Sequence, residues 1–184
     1  NSELGELTLV ASEKGLVGLW IEGQKYYLGK VREEIVMQDT DILNQAQTWL
    51  KRYFSGEKPE ISELPLDVRG TDFSAMVWNL LCEIPYGSTC TYTSLTDAVS
   101  RKTGKKMSAQ AIGQAVGHNP VSIIIPCHRV VGANGSLTGY AGGIDKKVWL
   151  LKHEGAYRTE FFVPVSQYES IGKGTVIVSG VQDQ

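Results

Sequence analysis

Residues 59–70 divide this chain. The stretch carries two prolines, Pro59 and Pro65, with several acids and no helical or strand period, which is the chemistry of a linker. Before it, short β-branched runs alternate with turns; after it, helices of small residues dominate. A chain of 184 residues split there holds two small units, 1–70 and 71–157, rather than one large sheet or bundle.

In the first unit, Leu7-Thr8-Leu9-Val10-Ala11 and Leu16-Val17-Gly18-Leu19-Trp20-Ile21 flank the charged turn Ser12-Glu13-Lys14-Gly15, which predicts a hairpin. Lys25-Tyr26-Tyr27-Leu28 reads as a further strand. Ile42, Leu43, Ala46, Trp49, Leu50, Tyr53 and Phe54 then recur every three or four residues, one apolar helical face that Gly56 ends. The chain opens without Met, almost inside a strand pattern, so a segment preceding it is expected.

In the second unit, Thr71 or Asp72 can cap a helix whose apolar face is Phe73, Val77, Leu80 and Leu81, ended by Pro85-Tyr86-Gly87. A short helix from about Thr93 to Val99 follows, then the basic loop Arg101 to Lys106, then a helix from Ala109 to Val116 capped by Ser108. The small residues Ala109, Ala111, Gly113, Ala115 and Gly117 permit close approach to another surface, whether DNA or a packed helix.

Charge ranks the segments. Residues 1–71 carry 8 Lys/Arg against 12 Asp/Glu, residues 72–157 carry 8 against 5, and residues 158–184 carry 2 against 3, so the middle segment is where a polyanion fits best. No run approaches the roughly 20 apolar residues of a membrane span, and no signal peptide is evident. Three cysteines without Cys-x-x-Cys spacing, Cys82, Cys90 and Cys127, suggest free thiols in a cytoplasmic protein.

The chemical centre follows the apolar run Val121 to Ile125, which should be buried. Pro126 ends it, Cys127 emerges at the core's edge, and His128 and Arg129 come next. Either neighbour can stabilise a thiolate, the nucleophilic form of cysteine; equally, adjacent residues in extended chain point apart, which leaves a structural Cys beside two surface residues. Thr138-Gly139-Tyr140-Ala141-Gly142-Gly143 is a glycine-rich loop around one aromatic, able to wall a pocket for a flat ligand or to act as a plain connection. Asp145 then caps a helix with Val148, Leu150 and Leu151, ending in Lys152-His153-Glu154-Gly155. Glu154 is a candidate orienter of His128.

Asn119-Pro120, Pro126-Cys127-His128-Arg129-Val130, Gly139-Tyr140-Ala141-Gly142-Gly143 and Leu150-Leu151-Lys152-His153-Glu154-Gly155, in that order, resemble the O6-alkylguanine-DNA alkyltransferase family. The resemblance implies an α/β protein: a ribonuclease-H-like N-terminal domain of sheet plus helix, then a mainly helical C-terminal domain with a helix-turn-helix. It implies irreversible, stoichiometric transfer of an alkyl group from O6-alkylguanine, or O4-alkylthymine, in double-stranded DNA to Cys127. The protein would bind the minor groove as a monomer with the damaged base flipped out.

The same resemblance implies roles residue by residue. Cys127 attacks the alkyl carbon, His128 removes the thiol proton through a water and is oriented by Glu154, and Asn119 orders the turn carrying Cys127. Tyr92 turns the target phosphate and assists protonation of the leaving group. Tyr140, with Gly139, Ala141 and Val130, forms the base pocket, while Ser108, Ala109, Gln110, Ala111, Gly113 and Arg129 meet DNA. No cofactor is implied, and no metal, because all three histidines lie beyond residue 117 and Cys82 and Cys90 have no nearby ligand cluster.

Gln110 departs from the family pattern, which places an arginine there to fill the gap left by the flipped base; glutamine lacks the charge and rigid fork of guanidinium. In residues 158–184, Phe161-Phe162-Val163-Pro164 and Thr175-Val176-Ile177-Val178 are strand-like; they can cover the core, pair with the first sheet or drive self-association. Two other functions remain open to the residues alone: a non-catalytic sensor of alkylated DNA that recruits repair factors, and a Cys-His hydrolase.

Overall fold

A computed structural model of the chain describes residues 2–168. β1 (Leu7–Ala11) and β2 (Leu16–Ile21) pair antiparallel, Leu7 opposite Ile21, with a bulge between Val10 and Ala11. The expected strand at Lys25–Leu28 is instead a series of turns. Gln24 folds back on the end of β2, its amide donating to Ile21 O at 2.9 Å and its side-chain oxygen accepting from Ile21 N at 2.9 Å. Tyr26 and Leu28 then take φ of 59° and 60°, which no strand accommodates.

α1 (Asp41–Phe54) starts at Thr40, whose hydroxyl oxygen accepts from Leu43 N at 3.2 Å, and buries Ala46, Trp49, Leu50 and Tyr53. Gly56, at φ 92°, turns the chain away.

The segment read as a linker is part of the sheet. After a 3₁₀ turn at Ile61–Glu63, Leu16 N donates to Pro65 O at 2.9 Å and Asp67 N to Leu16 O at 2.7 Å. Gly15 permits this approach, since a Cβ there would lie 2.7 Å from Pro65 O. Further along the same edge of β2, Leu19 N donates to Pro120 O at 2.8 Å and Ser122 N to Leu19 O at 3.0 Å. One edge of β2 therefore carries β1, and the other carries both the linker and the segment that leads to Cys127. A single hydrophobic core joins the halves, from Leu19, Ile21 and Tyr53 to Ile112, Ile124 and Leu150.

α2 (Asp72–Cys82) begins at Thr71, which caps Ser74 N at 3.1 Å. β3 (Cys90–Thr91) pairs in parallel with β4 (Val130–Val131). α3 (Tyr92–Thr103) runs longer than its sequence pattern, because Arg101, Lys102 and Thr103 continue the helix to Gly104, which ends it at φ 68°. The basic stretch is thus half helix and half loop. α4 (Ala109–Gly117) is capped by Ser108, whose oxygen accepts from Ala111 N at 3.0 Å, and buries Ile112, Ala115 and Val116. Trp78 Nε1 on α2 pins it by donating to Ala115 O at 2.8 Å.

α5 (Ile144–His153) has Gly143 as its N-cap, and Asp145 sits in the first turn rather than capping. Beyond it, Phe161 joins Val131, Leu137, Leu151 and Ala156 in a second apolar cluster. Phe162 N donates to Gly135 O at 3.1 Å, and Phe162 O accepts from Leu137 N at 2.8 Å, so the start of the C-terminal extension covers the core. A last turn of helix, α6, spans Val165–Tyr168; Thr175–Val178 lie outside the described residues. Among those residues, no helix is long and apolar enough to cross a membrane, and no group of three His, Cys, Asp or Glu could hold a metal.

Candidate active site

Cys127 opens a 3₁₀ turn, Cys127–Arg129, and is buried with its two neighbours. The turn, rather than extended chain, buries both side chains and sets the Cys127 thiol near the backbone N–H of His128. Asn119 staples the approach to it: Nδ2 donates to Ile125 O at 2.7 Å and Oδ1 accepts from Val121 N at 3.0 Å. Between those anchors Ile123 sits at φ 73°, costly for a β-branched residue by about 1–3 kcal/mol. The staple holds that strained turn closed. Burial pushes the Cys127 thiol up, while the Asn119 amide and the Lys147 ammonium pull it down.

His128 is fully buried, and its Nε2 lies 2.7 Å from Glu154 Oε2. A carboxylate only accepts, so the ring proton belongs on Nε2 and Nδ1 keeps its lone pair. Nδ1 has no partner among the described residues, which leaves it to accept a proton. Burial pushes His128 down, against the pull of Glu154.

Glu154 accepts on both oxygens. Arg129 Nε donates to Oε1 at 2.7 Å and its NH2 to Oε2 at 3.2 Å, while the Tyr53 hydroxyl donates to Oε2 at 2.6 Å. Burial alone would raise this carboxyl, but His128 and Arg129 hold it well below the usual carboxylate range. It is ionised, with Arg129 as counterion.

Lys147 is the second buried cation. Its Nζ donates to Val130 O at 2.6 Å and Thr138 O at 3.0 Å, below the ring of Tyr92. Burial pulls its pKa down to about 8, opposed by Cys127. No carboxylate pairs with it among the described residues. Among the described residues, the thiol of Cys127 is the acid that bears on it.

Tyr92 and Tyr140 lie beside Cys127. Burial pushes Tyr92 up to about 12, with Cys127 adding to the effect, and its hydroxyl donates weakly to Thr138 O at 3.4 Å. Tyr140 is raised well above the usual tyrosine value by burial and Cys127. Its hydroxyl has no hydrogen-bond partner among the described residues; the neighbouring Ser122 hydroxyl donates to Gln24 Oε1 at 3.0 Å. Gly139 is at φ 72°, 3.4 Å from Tyr92 Oη by its absent Cβ, and a Cβ on Gly142 would lie 2.9 Å from the Tyr140 ring. The glycines therefore let the loop close over both rings.

Cys127, His128, Glu154, Asn119, Tyr140 and Val130 are thus buried around one centre, with half-buried Tyr92 and exposed Gly139 at its rim. A broad concavity lined by β1, residues 33–40 and α1 includes none of them.

Residues 1–68 match the ribonuclease-like domain of the 6-O-methylguanine DNA methyltransferase family, and residues 72–156 match its DNA-binding domain. A methylated-DNA–protein-cysteine methyltransferase of Methanosarcina barkeri is 44% identical over 156 residues, 83% of this chain and 92% of that protein. This chain belongs to the O6-methylguanine DNA methyltransferase family. The crystal structure of the Mycobacterium tuberculosis O6-methylguanine methyltransferase superposes with a TM-score of 0.70 at 41% identity, covering 84% of this chain and 89% of that one. The crystal structure of Mycobacterium tuberculosis OGT in complex with DNA gives a TM-score of 0.73 at 42% identity, with the same coverage.

Against the pattern of this methyltransferase family, one expected DNA contact fails. Arg129 is buried, with Ile84 O at 2.6 Å from NH1 and Glu154 on its other nitrogens, so its side chain serves the carboxylate rather than DNA. The rest of the expected DNA set lies on α4: Ser108, Ala109 and Gln110 are exposed, and Ala111 and Gly113 half-buried. Gly113 faces open space. Ser108 Oγ is already committed to its cap.

Two members of the centre escaped sequence reasoning. Tyr53 was counted as core, and its partner lies 101 residues away. Lys147 is assigned no role from sequence. A usable signal did exist, because Lys147 falls three residues after Ile144 and four before Leu151, on the buried face of α5.

Proposed function

We propose that the protein repairs DNA directly, moving the methyl group of O6-methylguanine to Cys127 in a single irreversible reaction. The observation that carries this is the buried chain Cys127, His128, Glu154: a thiol next to an imidazole whose free Nδ1 lone pair and ionised carboxylate partner make it a base. A water bridging the thiol and Nδ1 would pass the proton inward. The Lys147 ammonium, which no carboxylate pairs among the described residues, then stabilises the thiolate.

The thiolate sulfur bonds to the methyl carbon as the bond from that carbon to guanine O6 breaks, and the electron pair leaves with guanine. Tyr92, protonated at neutral pH, donates hydrogen-bond stabilisation to the departing base. The thioether has no leaving group to regenerate the thiol, so each molecule reacts once and no cofactor takes part. Cys127 is only 7% exposed; a stacked base has no line of attack to it, so the target guanine enters flipped out, against Tyr140 and Gly139. The α4 face, led by Gln110, meets the minor groove. The protein acts as a monomer, and its three free thiols suit the cytoplasm.

Incubation with a duplex carrying O6-methylguanine, followed by intact-mass measurement, tests this. One added methyl group, absent in Cys127→Ser, is expected. Binding without added mass would replace the proposal with a damage sensor, and thiol-dependent ester turnover without methyl addition would replace it with a hydrolase.

A further inference from the structure

The last turn of α1 reaches across the molecule to the reaction centre. Tyr53 is 1% exposed, and its hydroxyl donates to Glu154 Oε2, the same oxygen that receives His128 Nε2. Its backbone oxygen accepts from His153 Nε2 at 2.7 Å. Two hydrogen bonds therefore tie the end of α1 to the end of α5, one on the catalytic carboxylate and one on its neighbour.

The ring has little freedom to leave. Trp49 stacks on it, 5.6 Å between centroids and 7° from parallel, and Trp49 Nε1 is itself pinned to Glu60 O at 2.8 Å. Tyr86 and Phe54 meet it edge-on at 6.1 and 5.4 Å. A buried phenol satisfied by any nearby carbonyl would serve the core equally well; this one is aimed at the one carboxylate that orients the base.

We propose that Tyr53 is a positioning residue for methyl transfer, its hydroxyl fixing Glu154 Oε2 so that His128 keeps its proton on Nε2 and its lone pair on Nδ1. This rests on the function proposed above. The bond has two separable effects. It restrains the carboxylate, which sets where Nδ1 points, and it draws negative charge from Oε2, which lowers the basicity of His128. Arg129 shares the carboxylate and donates to Oε2 at 3.2 Å, Tyr86 and His153 face Tyr53, Lys147 bears on His128, and the Cys127 thiol meets the backbone N–H of His128; the Tyr53 hydroxyl makes the shortest contact with Oε2 at 2.6 Å.

Tyr53→Phe removes the bond and keeps the ring. The full-length variant should bind duplex DNA within about twofold of wild type, yet transfer methyl about 10–100-fold more slowly, with the acidic limb of its rate profile moved to higher pH. In a Glu154→Gln background the same substitution should cost no further rate, since Tyr53 acts only through that carboxylate. Wild-type rate and profile in Tyr53→Phe, or an equal loss in both backgrounds, would overturn the proposal.

Should Tyr53→Phe fail to fold, 3-fluorotyrosine at position 53, a stronger donor of the same shape, should move the acidic limb down; an unmoved limb would overturn it. The nitrogen chemical shifts of His128 report its tautomer without any reaction. A wild-type protein that transfers no methyl group would sink the functional reading, while those shifts, unchanged between wild type and variant, would separately sink the role of Tyr53.

Discussion

The Cys127 turn and the α3–α4 face belong to the same half of the chain and are built on opposite terms. From Asn119 to Val130 every residue except Pro120 is buried, and the polar side chains are engaged with one another or with backbone. On the other face Arg101, Lys102, Gln110 and Gln114 are exposed, and no side-chain hydrogen bond holds them among the described residues. On the proposed function, chemistry is a property of the interior, and recognition a property of a lightly specified surface. Substitutions in the turn should therefore register as stability and reaction rate together, and those on the face as affinity alone.

Arg129 offers the largest test. Arg129→Met leaves the Glu154 carboxylate short of its counterion and Ile84 O without a donor, and should cost about 3–5 kcal/mol in urea unfolding. A variant with wild-type stability but weaker DNA binding would return Arg129 to the recognition face and erase the contrast.

Lys147 comes next. Its pKa falls from the ordinary lysine value of 10.5 to about 8 on folding, so between those values the unfolded chain holds the extra proton. Stability should rise with pH across that window, by on the order of 3 kcal/mol, and be reduced by that amount below it. Unfolding free energies of Lys147→Met measured from pH 7 to 11 should lose this slope. A slope that persisted would mean that Lys147 is solvated and not part of the buried centre.

Asn119→Ala should cost about 1–3 kcal/mol, because Ile125 O and Val121 N lose their partners. Transfer should slow more than this stability loss explains, as the strained turn at Ile123 relaxes; single-turnover rates at a temperature where the variant is folded would read it.

The smallest effect on stability belongs to Gln110→Arg, within about 0.5 kcal/mol. Its consequence should appear in binding: higher affinity for the duplex, with the salt slope steeper by about one. If neither affinity nor repair rate rose, position 110 would not be the residue that fills the gap beside a flipped base.

Much of the fold was legible because local chemistry and tertiary structure agree. The hairpin follows from two short β-rich runs around a Gly-containing turn, α1 from its three and four residue spacing, and α2 and α4 from caps at Thr71 and Ser108. Cys127 with His128 was legible through the ordered motifs around it, not through the pair itself. What stayed hidden depends on distant partners. Tyr26 and Leu28 look like strand residues until Gln24 is seen folding back on Ile21; Arg129 looks like a surface base until Glu154 arrives from α5; and the stretch from Pro59 to Gly70 looks like a linker until Leu16 claims its backbone.

That last feature bears on how the molecule comes apart. The chain matches two family domains that meet near residues 68–72, yet β2 exchanges backbone hydrogen bonds with both sides of that division, and one core spans it. The boundary is one of sequence descent rather than of unfolding. Heating or denaturant should release both halves in a single cooperative transition, with the amide protons of Leu16 and Leu19 among the last to exchange with solvent.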